Sequence, residues 1–297
     1  MFRVDIKLGF ACNNHCDFCV QGDKRKRYGA RPLDQIVKDL HAAKHRGAQD
    51  VVLTGGEPTV HKTLLETIRT AKALGYRTIQ IQSNGRRFSH PELLDALINA
   101  GANEFSPALH GAKAATHDAL THAEGSYEQT VAGIRAIRER GFPVVTNSVI
   151  TQSNFRELPE LATLFVELGV KQFQFAFVHI LGTADRNREW IVPRKSEAIE
   201  YIHKALDIGR EAGTPCFTEA IPYCFMEGYE ECVAESMIPH TFIYDADKTI
   251  ENYTDFRWQE GKIRGPMCDD CSFGGECEGP WREYVDLYGW DEFKIRV

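Results

Sequence analysis

The sequence predicts a parallel α/β fold, either an open barrel or a doubly wound sheet, followed by a small metal-stapled appendage. Three observations carry this prediction: a strand-then-helix unit repeats six times up to about residue 212, a glycine closes each unit's helix, and the rhythm stops where the last six of nine cysteines begin. Residues 3–8 read as the first strand and 33–46 as its helix, with Ile36, Val37, Leu40 and Ala43 on one face. The second unit is 50–54 (DVVLT) and 61–74, and the third is 77–82 (RTIQIQ) and 91–100. A short strand at 104–108 leads through a loop to the helix 127–140. The fifth unit is 143–150 (PVVTNSVI) and 155–168, and the sixth is 171–178 (KQFQFAFV) and 196–211. Gly47, Gly75, Gly101, Gly141, Gly169 and Gly213 end these helices, where a left-handed position favours glycine. Several strands are nearly continuous apolar or β-branched runs, as in a parallel sheet covered by helices. Six units are too few for a closed eight-unit barrel.

Composition narrows the function. Hydrophobic residues at 43% and charged residues at 26% are ordinary for a globular chain of 297 residues. A net charge of −7 argues against general nucleic-acid binding, and the run Lys24-Arg25-Lys26-Arg27 reads as a solvated loop. No apolar stretch approaches the ~20 residues that span a bilayer, and MFRVDIKLGF lacks a signal-peptide pattern, so a cytoplasmic protein is expected. In that compartment nine cysteines point to metal rather than disulfides. Three lie within 12–19 and the other six between 216 and 277, which reads as two metal sites.

In parallel folds the ligand sits at the carboxyl ends of the strands, and the unusual residues follow strands here. Cys12-x3-Cys16-x2-Cys19 comes directly after the first strand with no fourth cysteine near. Three thiolates can hold three irons of a [4Fe–4S] cube and leave the fourth open; a three-cysteine zinc site is the alternative. The second strand ends in Gly55-Gly56-Glu57-Pro58, where glycine lets backbone approach a ligand and a carboxylate can hold an ammonium group. The cysteine spacing, with Phe18 before its last member, and the GGEP one strand later resemble the radical S-adenosylmethionine (SAM) superfamily. That resemblance implies that GGEP binds the methionyl amine of SAM. It also implies that Ser83 and Asn84, in the Ser83-Asn84-Gly85 turn, contact SAM and that Ser106 binds its ribose. Asn154 either holds SAM or caps the helix at Phe155, and His110-Gly111 matches a familiar loop. The implied fold is a partial (β/α)6 barrel over residues 1–212 with a small C-terminal auxiliary-cluster domain over 213–297.

The tail carries Cys268-x2-Cys271-x5-Cys277 followed by Glu278-Gly279, a spacing suited to a second metal site. A zinc ribbon is one reading. The resemblance to SPASM and twitch domains implies instead one auxiliary [4Fe–4S] cluster, since Trp281 stands where a full SPASM domain has another cysteine. Cys224 is the expected fourth ligand, with Cys216 and Cys232 as rivals. The resemblance further implies reductive cleavage of SAM, fed by an external one-electron donor such as flavodoxin or ferredoxin. A 5′-deoxyadenosyl radical would then take hydrogen from a substrate, with an oxidative outcome aided by the second cluster. A small metabolite or cofactor precursor is expected, because a first cluster cysteine at position 12 leaves no leader-binding domain ahead of it. The alternative is a ribosomally made peptide, cross-linked, dehydrogenated or epimerised. A non-catalytic iron–sulfur redox protein is more distant, having no use for GGEP or a barrel.

Overall fold

The computed structural model describes residues 2–297. All six expected strands form: Phe2–Lys7 (β1), Asp50–Thr54 (β2), Thr78–Ser83 (β3), Glu104–Pro107 (β4), Val145–Ile150 (β5) and Gln172–Phe177 (β6). Neighbours from β1 to β4 pair in parallel, as do β5 and β6. Parallel bridges Phe105–Val144 and Ala108–Asn147 join β4 to β5. The strands therefore follow chain order around one arc, which is the barrel alternative; a doubly wound sheet reverses its order part-way. The helices lie where the periodicity puts them, at Leu33–His45, Leu64–Ala73, Pro91–Ala100, Ser126–Glu139, Leu158–Glu167 and Lys195–Glu211. The six closing glycines all have positive φ.

The strands are less uniformly apolar than expected. Only β2 is buried at every position, whereas β3, β5 and β6 alternate. One face carries Val4, Ile6, Ile79, Ile81, Phe105, Phe173 and Phe175, fully buried in the core shared with the helices. By register, the other face carries Arg3, Asp5, Lys7, Gln80, Glu104, Asn147 and Gln174. The physical reason is that helices cover only the convex side of a partial barrel, so the concave side can be polar. Burial lowers the Arg3 guanidinium below its ordinary value, against the pull of Asp5, Glu219, Asp50 and Glu104. Arg3 on β1 thus senses carboxylates from both halves of the arc, across one shared interior.

The tail departs from the expected appendage. Cys216–Glu219 (β7) pairs in parallel with β6, and His240–Tyr244 (β8) pairs in parallel with β1 at the opposite end. Thr249–Ile250 (β9) then turns back antiparallel to β8. Both ends of the arc are completed by residues beyond 212. A buried ion cluster anchors the rest: Arg257 Nε and Nη2 each donate to Glu278 at 2.8 Å, and Lys262 bridges Glu278, at 3.1 Å, and Glu235. Fully buried Lys195 donates through Nζ to the Ala220 carbonyl at 3.0 Å and through its backbone N–H to the Tyr284 hydroxyl at 2.9 Å.

Candidate metal centres and cofactor site

The ends of β1 and β2 are zipped together by backbone. The Gly56 N–H donates to the Gly9 carbonyl at 2.8 Å, and the Glu57 N–H to the Ala11 carbonyl at 2.8 Å. A Cβ at Gly55, where φ is +124°, would stand 2.3 Å from the Gly9 oxygen, and one at Gly56 would stand 2.3 Å from the Ala11 oxygen. The close approach these glycines permit is therefore to the cysteine loop itself, which they press against the end of the second strand.

Glu57 is buried at 1% exposure, and its carboxylate is engaged. Oε1 accepts from the Thr59 N–H (2.9 Å), the Thr59 hydroxyl (2.5 Å) and the Ser83 hydroxyl (2.8 Å), and Oε2 accepts from the Asn84 N–H (2.7 Å). The side chain ties the β2 end to the β3 turn, leaving one acceptor position on Oε2. Ser83 is engaged likewise, since its hydroxyl also accepts from the Gly85 N–H at 3.0 Å, which leaves it one lone pair. Asn84 reaches the cysteine loop: Nδ2 donates to Asn13 Oδ1 at 2.7 Å and lies 3.9 Å from Cys12 Sγ, which also accepts from the Asn14 N–H at 3.4 Å.

The Asn154 side chain is hydrogen-bonded within the chain and does not cap the helix at Phe155. Its amide donates to the His110 and Val149 carbonyls (2.7 and 2.8 Å) and accepts from the Thr151 N–H and hydroxyl (2.7 and 3.0 Å). No cap bond forms, and both its donors and its carbonyl are taken, because the amide staples the His110 loop to the end of β5. Ser106 differs: it is 8% exposed, lies on the concave face beside Gln82, and its hydroxyl makes no hydrogen bond among the described residues. Phe18 packs edge-on against the His110 ring, centroids 4.6 Å apart.

Burial, with Cys19 and Cys12 as charged neighbours, pushes the Cys16 thiol well up, and burial raises Cys12 and Cys19 too; Arg25 pulls all three down. Three such thiols ionise together only against a strong positive charge, which is what iron supplies. The donor set therefore fits a cluster.

In the tail, Cys224, Cys268, Cys271 and Cys277 line one small cavity of about 30 Å³, walled by Pro222, Met267, Trp290 and Phe293. Burial and the neighbouring thiols Cys277 and Cys268 push Cys224 up to about 12, again a donor set that suits a cationic cluster. Cys216 and Cys232 are instead buried beside each other, and Cys216 also donates to the Leu206 carbonyl at 3.4 Å.

The sequence reading missed Arg86, whose Nη1 donates to the Asn13 carbonyl (2.6 Å) and Asn14 Oδ1 (2.9 Å) and so holds the cysteine loop. Its position directly after Ser83-Asn84-Gly85 was the available signal. It also missed the buried group of Glu235, Arg257, Lys262 and Glu278, which no spacing announces.

Comparison with known proteins decides the family. The radical SAM superfamily profile matches residues 6–165. The chain belongs to the radical SAM superfamily. As a radical SAM enzyme it uses a [4Fe–4S] cluster and SAM, and its cysteine-rich C-terminus fits an auxiliary cluster. It is 31% identical over 179 residues to a probable GTP 3′,8-cyclase of Saccharolobus islandicus, covering 60% of this chain and 57% of the cyclase. It is 27% identical over 221 residues to an AdoMet-dependent heme synthase of Methanosarcina barkeri, covering 74% of this chain and 62% of the synthase. The matches thus span less than two thirds of either relative. Among solved structures, Streptococcus suis SuiB bound to SAM superposes with a TM-score of 0.67 at 16% identity, over 99% of this chain and 76% of SuiB. Native anSMEcpe with bound AdoMet gives 0.67 at 13% identity, over 100% of this chain and 93% of that one. These two likenesses establish the shared fold.

Proposed function

We propose that this radical SAM enzyme acts on a small metabolite or cofactor precursor held in the polar interior of its barrel. We further propose an oxidative outcome, assisted by a second [4Fe–4S] cluster on Cys224, Cys268, Cys271 and Cys277. When bound, the first cluster and SAM supply the electron and the 5′-deoxyadenosyl radical that takes a hydrogen atom from the substrate. The chain's residues do the rest. The thiolates of Cys12, Cys16 and Cys19 hold the irons, and Arg25 offsets their charge. The Asn14 N–H and the Asn84 amide aim at Cys12 Sγ, where N–H donors raise a cluster's potential. Gly55, Gly56, Glu57 and Ser83 keep that loop in register, and Phe18, packed on His110, closes the wall behind it against water. The Ser106 hydroxyl remains open for SAM on the concave face.

One observation carries the choice of substrate class. Of the buried polar atoms without a hydrogen bond, four lie on the concave face and the tail residues around it, Asn147 Oδ1, Glu235 Oε2, Arg257 Nη1 and Trp281 Nε1, and His179 Nε2 and Glu283 Oε2 meet only each other, at 3.6 Å. Buried polar atoms are costly to leave unpaired, so this chamber suits a compact ligand rich in hydrogen-bonding groups. The curated relatives point the same way, their names being those of a nucleotide cyclase and a heme synthase. The test is reconstituted, reduced protein incubated with SAM and either a low-molecular-weight metabolite fraction or a ribosomal precursor-peptide library. Formation of 5′-deoxyadenosine should rise with the metabolites. A rise with peptides alone would transfer the assignment to a peptide maturase.

A further inference from the structure

The helix Ala114–Thr121 ends against the first cysteine loop, and backbone hydrogen bonds join the two. The last carbonyls of a helix lack partners within it, and here the loop takes two of them. The His15 N–H donates to the Thr121 carbonyl at 2.8 Å and the Asp17 N–H to the Leu120 carbonyl at 3.1 Å. The next residue, His122, has φ +49° and ψ +44°. Glycine takes that left-handed position more readily, as it does at the six closing turns, so a histidine there needs a reason. Its ring supplies one: Nε2 lies 2.7 Å from Asp17 Oδ1. An ionised carboxylate only accepts, so Nε2 carries the proton.

Asp17 stands between Cys16 and Cys19 and is held from a second side. Asn187 Nδ2 donates to its carbonyl at 3.0 Å, and the Thr183 N–H donates to the Cys19 carbonyl at 2.9 Å. Asn187 and Thr183 follow β6, whereas His122 follows β4, so elements beyond two different strands grip one loop. The Asp17 side chain is 17% exposed beneath the His122 ring. The run Lys24–Arg27, a short helix rather than a loop, brings positive charge to the loop, with Arg25 Nη1 donating to His15 Nδ1 at 3.0 Å. The helix end and Asp17 bring the opposite sign, since terminal carbonyls form the negative pole of a helix and the carboxylate carries a full charge. Nearby positive charge and N–H donors make a cluster easier to reduce. Negative charge makes it harder to reduce and a stronger reductant once reduced.

We infer that Asp17, latched by His122, is a positioning residue of the first cysteine loop whose negative charge holds down the potential of the cluster on Cys12, Cys16 and Cys19. The inference rests on the assignment of the first cluster to those cysteines. Asp17 acts through its neighbours: its backbone fixes the loop between Cys16 and Cys19, and its largely buried charge is poorly screened by water or salt. That charge disfavours the extra electron on the reduced cluster. One-electron cleavage of a sulfonium demands a strong reductant, so a lowered potential serves the reaction. The left-handed backbone at His122 is local strain beside a functional loop, and what it keeps in place is the partner of the carboxylate.

The test uses the reconstituted holoprotein and three variants, Asp17→Asn, Asp17→Glu and His122→Gly. A redox titration follows the cluster whose electron paramagnetic resonance signal changes when SAM is added. Asp17→Asn keeps an acceptor for the His122 ring and removes the charge. It should load iron fully and shift the reduction equilibrium about tenfold towards the reduced cluster, about 59 mV for one electron. Once reduced, it should cleave SAM more slowly in a single turnover at unchanged SAM affinity. Asp17→Glu keeps the charge and should stay near the wild-type potential. An unchanged potential in Asp17→Asn, an equal shift in Asp17→Glu, or loss of iron from Asp17→Asn would overturn the electrostatic role. The latch is read without iron: hydrogen exchange of the His15 and Asp17 amides in metal-free protein should quicken about tenfold in His122→Gly. Unchanged exchange there would overturn the latch. Exchange that quickens as expected, in a protein whose wild type holds no SAM-responsive cluster, would keep the latch and sink the cluster assignment instead.

Discussion

Glu57 shows how a motif residue can act through its neighbours. Its carboxylate satisfies two backbone N–H groups and two hydroxyls in a buried setting. Glu57→Ala would strand those donors, so a loss on the order of 3 kcal/mol in folding stability is expected, even before iron and SAM are added. Chemical denaturation of the metal-free protein checks this, and an unchanged midpoint would restore a purely ligand-binding role. Sequence motifs pointed to Glu57, Ser83, Asn84 and Asn154 as a group, and they do cluster at strand ends. What spacing could not reveal is that most of their polar atoms are spent within the chain, because hydrogen-bond partners are set by packing. A second residue-level expectation concerns pH. Burial holds His117 at about 4, below its ordinary 6.5. The native ring stays neutral while the unfolded ring protonates below about 6.5, so the unfolded state binds more protons as the solution is acidified. His117 therefore contributes fully above pH 6.5, and its contribution, about 3 kcal/mol, is lost as pH falls through about 4. His117→Asn keeps an acceptor for the His110 N–H and should flatten the stability profile over that window. A profile as steep as the wild type's would assign the pH dependence elsewhere.

At the scale of elements, the cysteine loop and the GGEP turn form a unit held by backbone hydrogen bonds with no room for a methyl group. Gly56→Ala places a Cβ on the Ala11 oxygen and the Phe10 backbone, so the loop must shift as a whole. Iron content after reconstitution should drop even though every cysteine remains; full iron loading would show that the loop tolerates the displacement. The tail offers a sharper comparison. Cys224→Ala should remove the second cluster's absorbance from a protein already lacking Cys12, Cys16 and Cys19, whereas Cys216→Ala and Cys232→Ala should leave about four irons in place. The opposite pattern would reassign the fourth ligand. The sequence placed the six strand–helix units within a few residues, because amphipathic period and closing glycines are local signals. It did not show β7 and β8. Each is a run of only four or five residues, and their strand character depends on the exposed edges of β6 and β1 that they cover.

For the whole molecule, the consequence is that residues 1–212 are not expected to fold as a separate barrel. Removing the tail would bare the edges of β1 and β6 and leave Lys195 without its Ala220 and Tyr284 partners. The truncated chain should aggregate on expression; a soluble, cooperatively unfolding fragment would support the boundary that the change in rhythm suggests. The tail is thus structural to the barrel as well as the carrier of four cysteines around one cavity. The polar concave face was partly legible, since RTIQIQ and KQFQFAF alternate, but those strands read equally well as covered sheet until the register turned their glutamines inward. Radical chemistry in this protein would begin at the first cysteine loop. The direct measurement is anaerobic reconstitution with iron and sulfide, reduction with dithionite, and chromatographic assay of SAM turnover. Wild-type protein should release 5′-deoxyadenosine, and Cys16→Ala, with its second cluster intact, should release none; undiminished release by that variant would contradict the assignment.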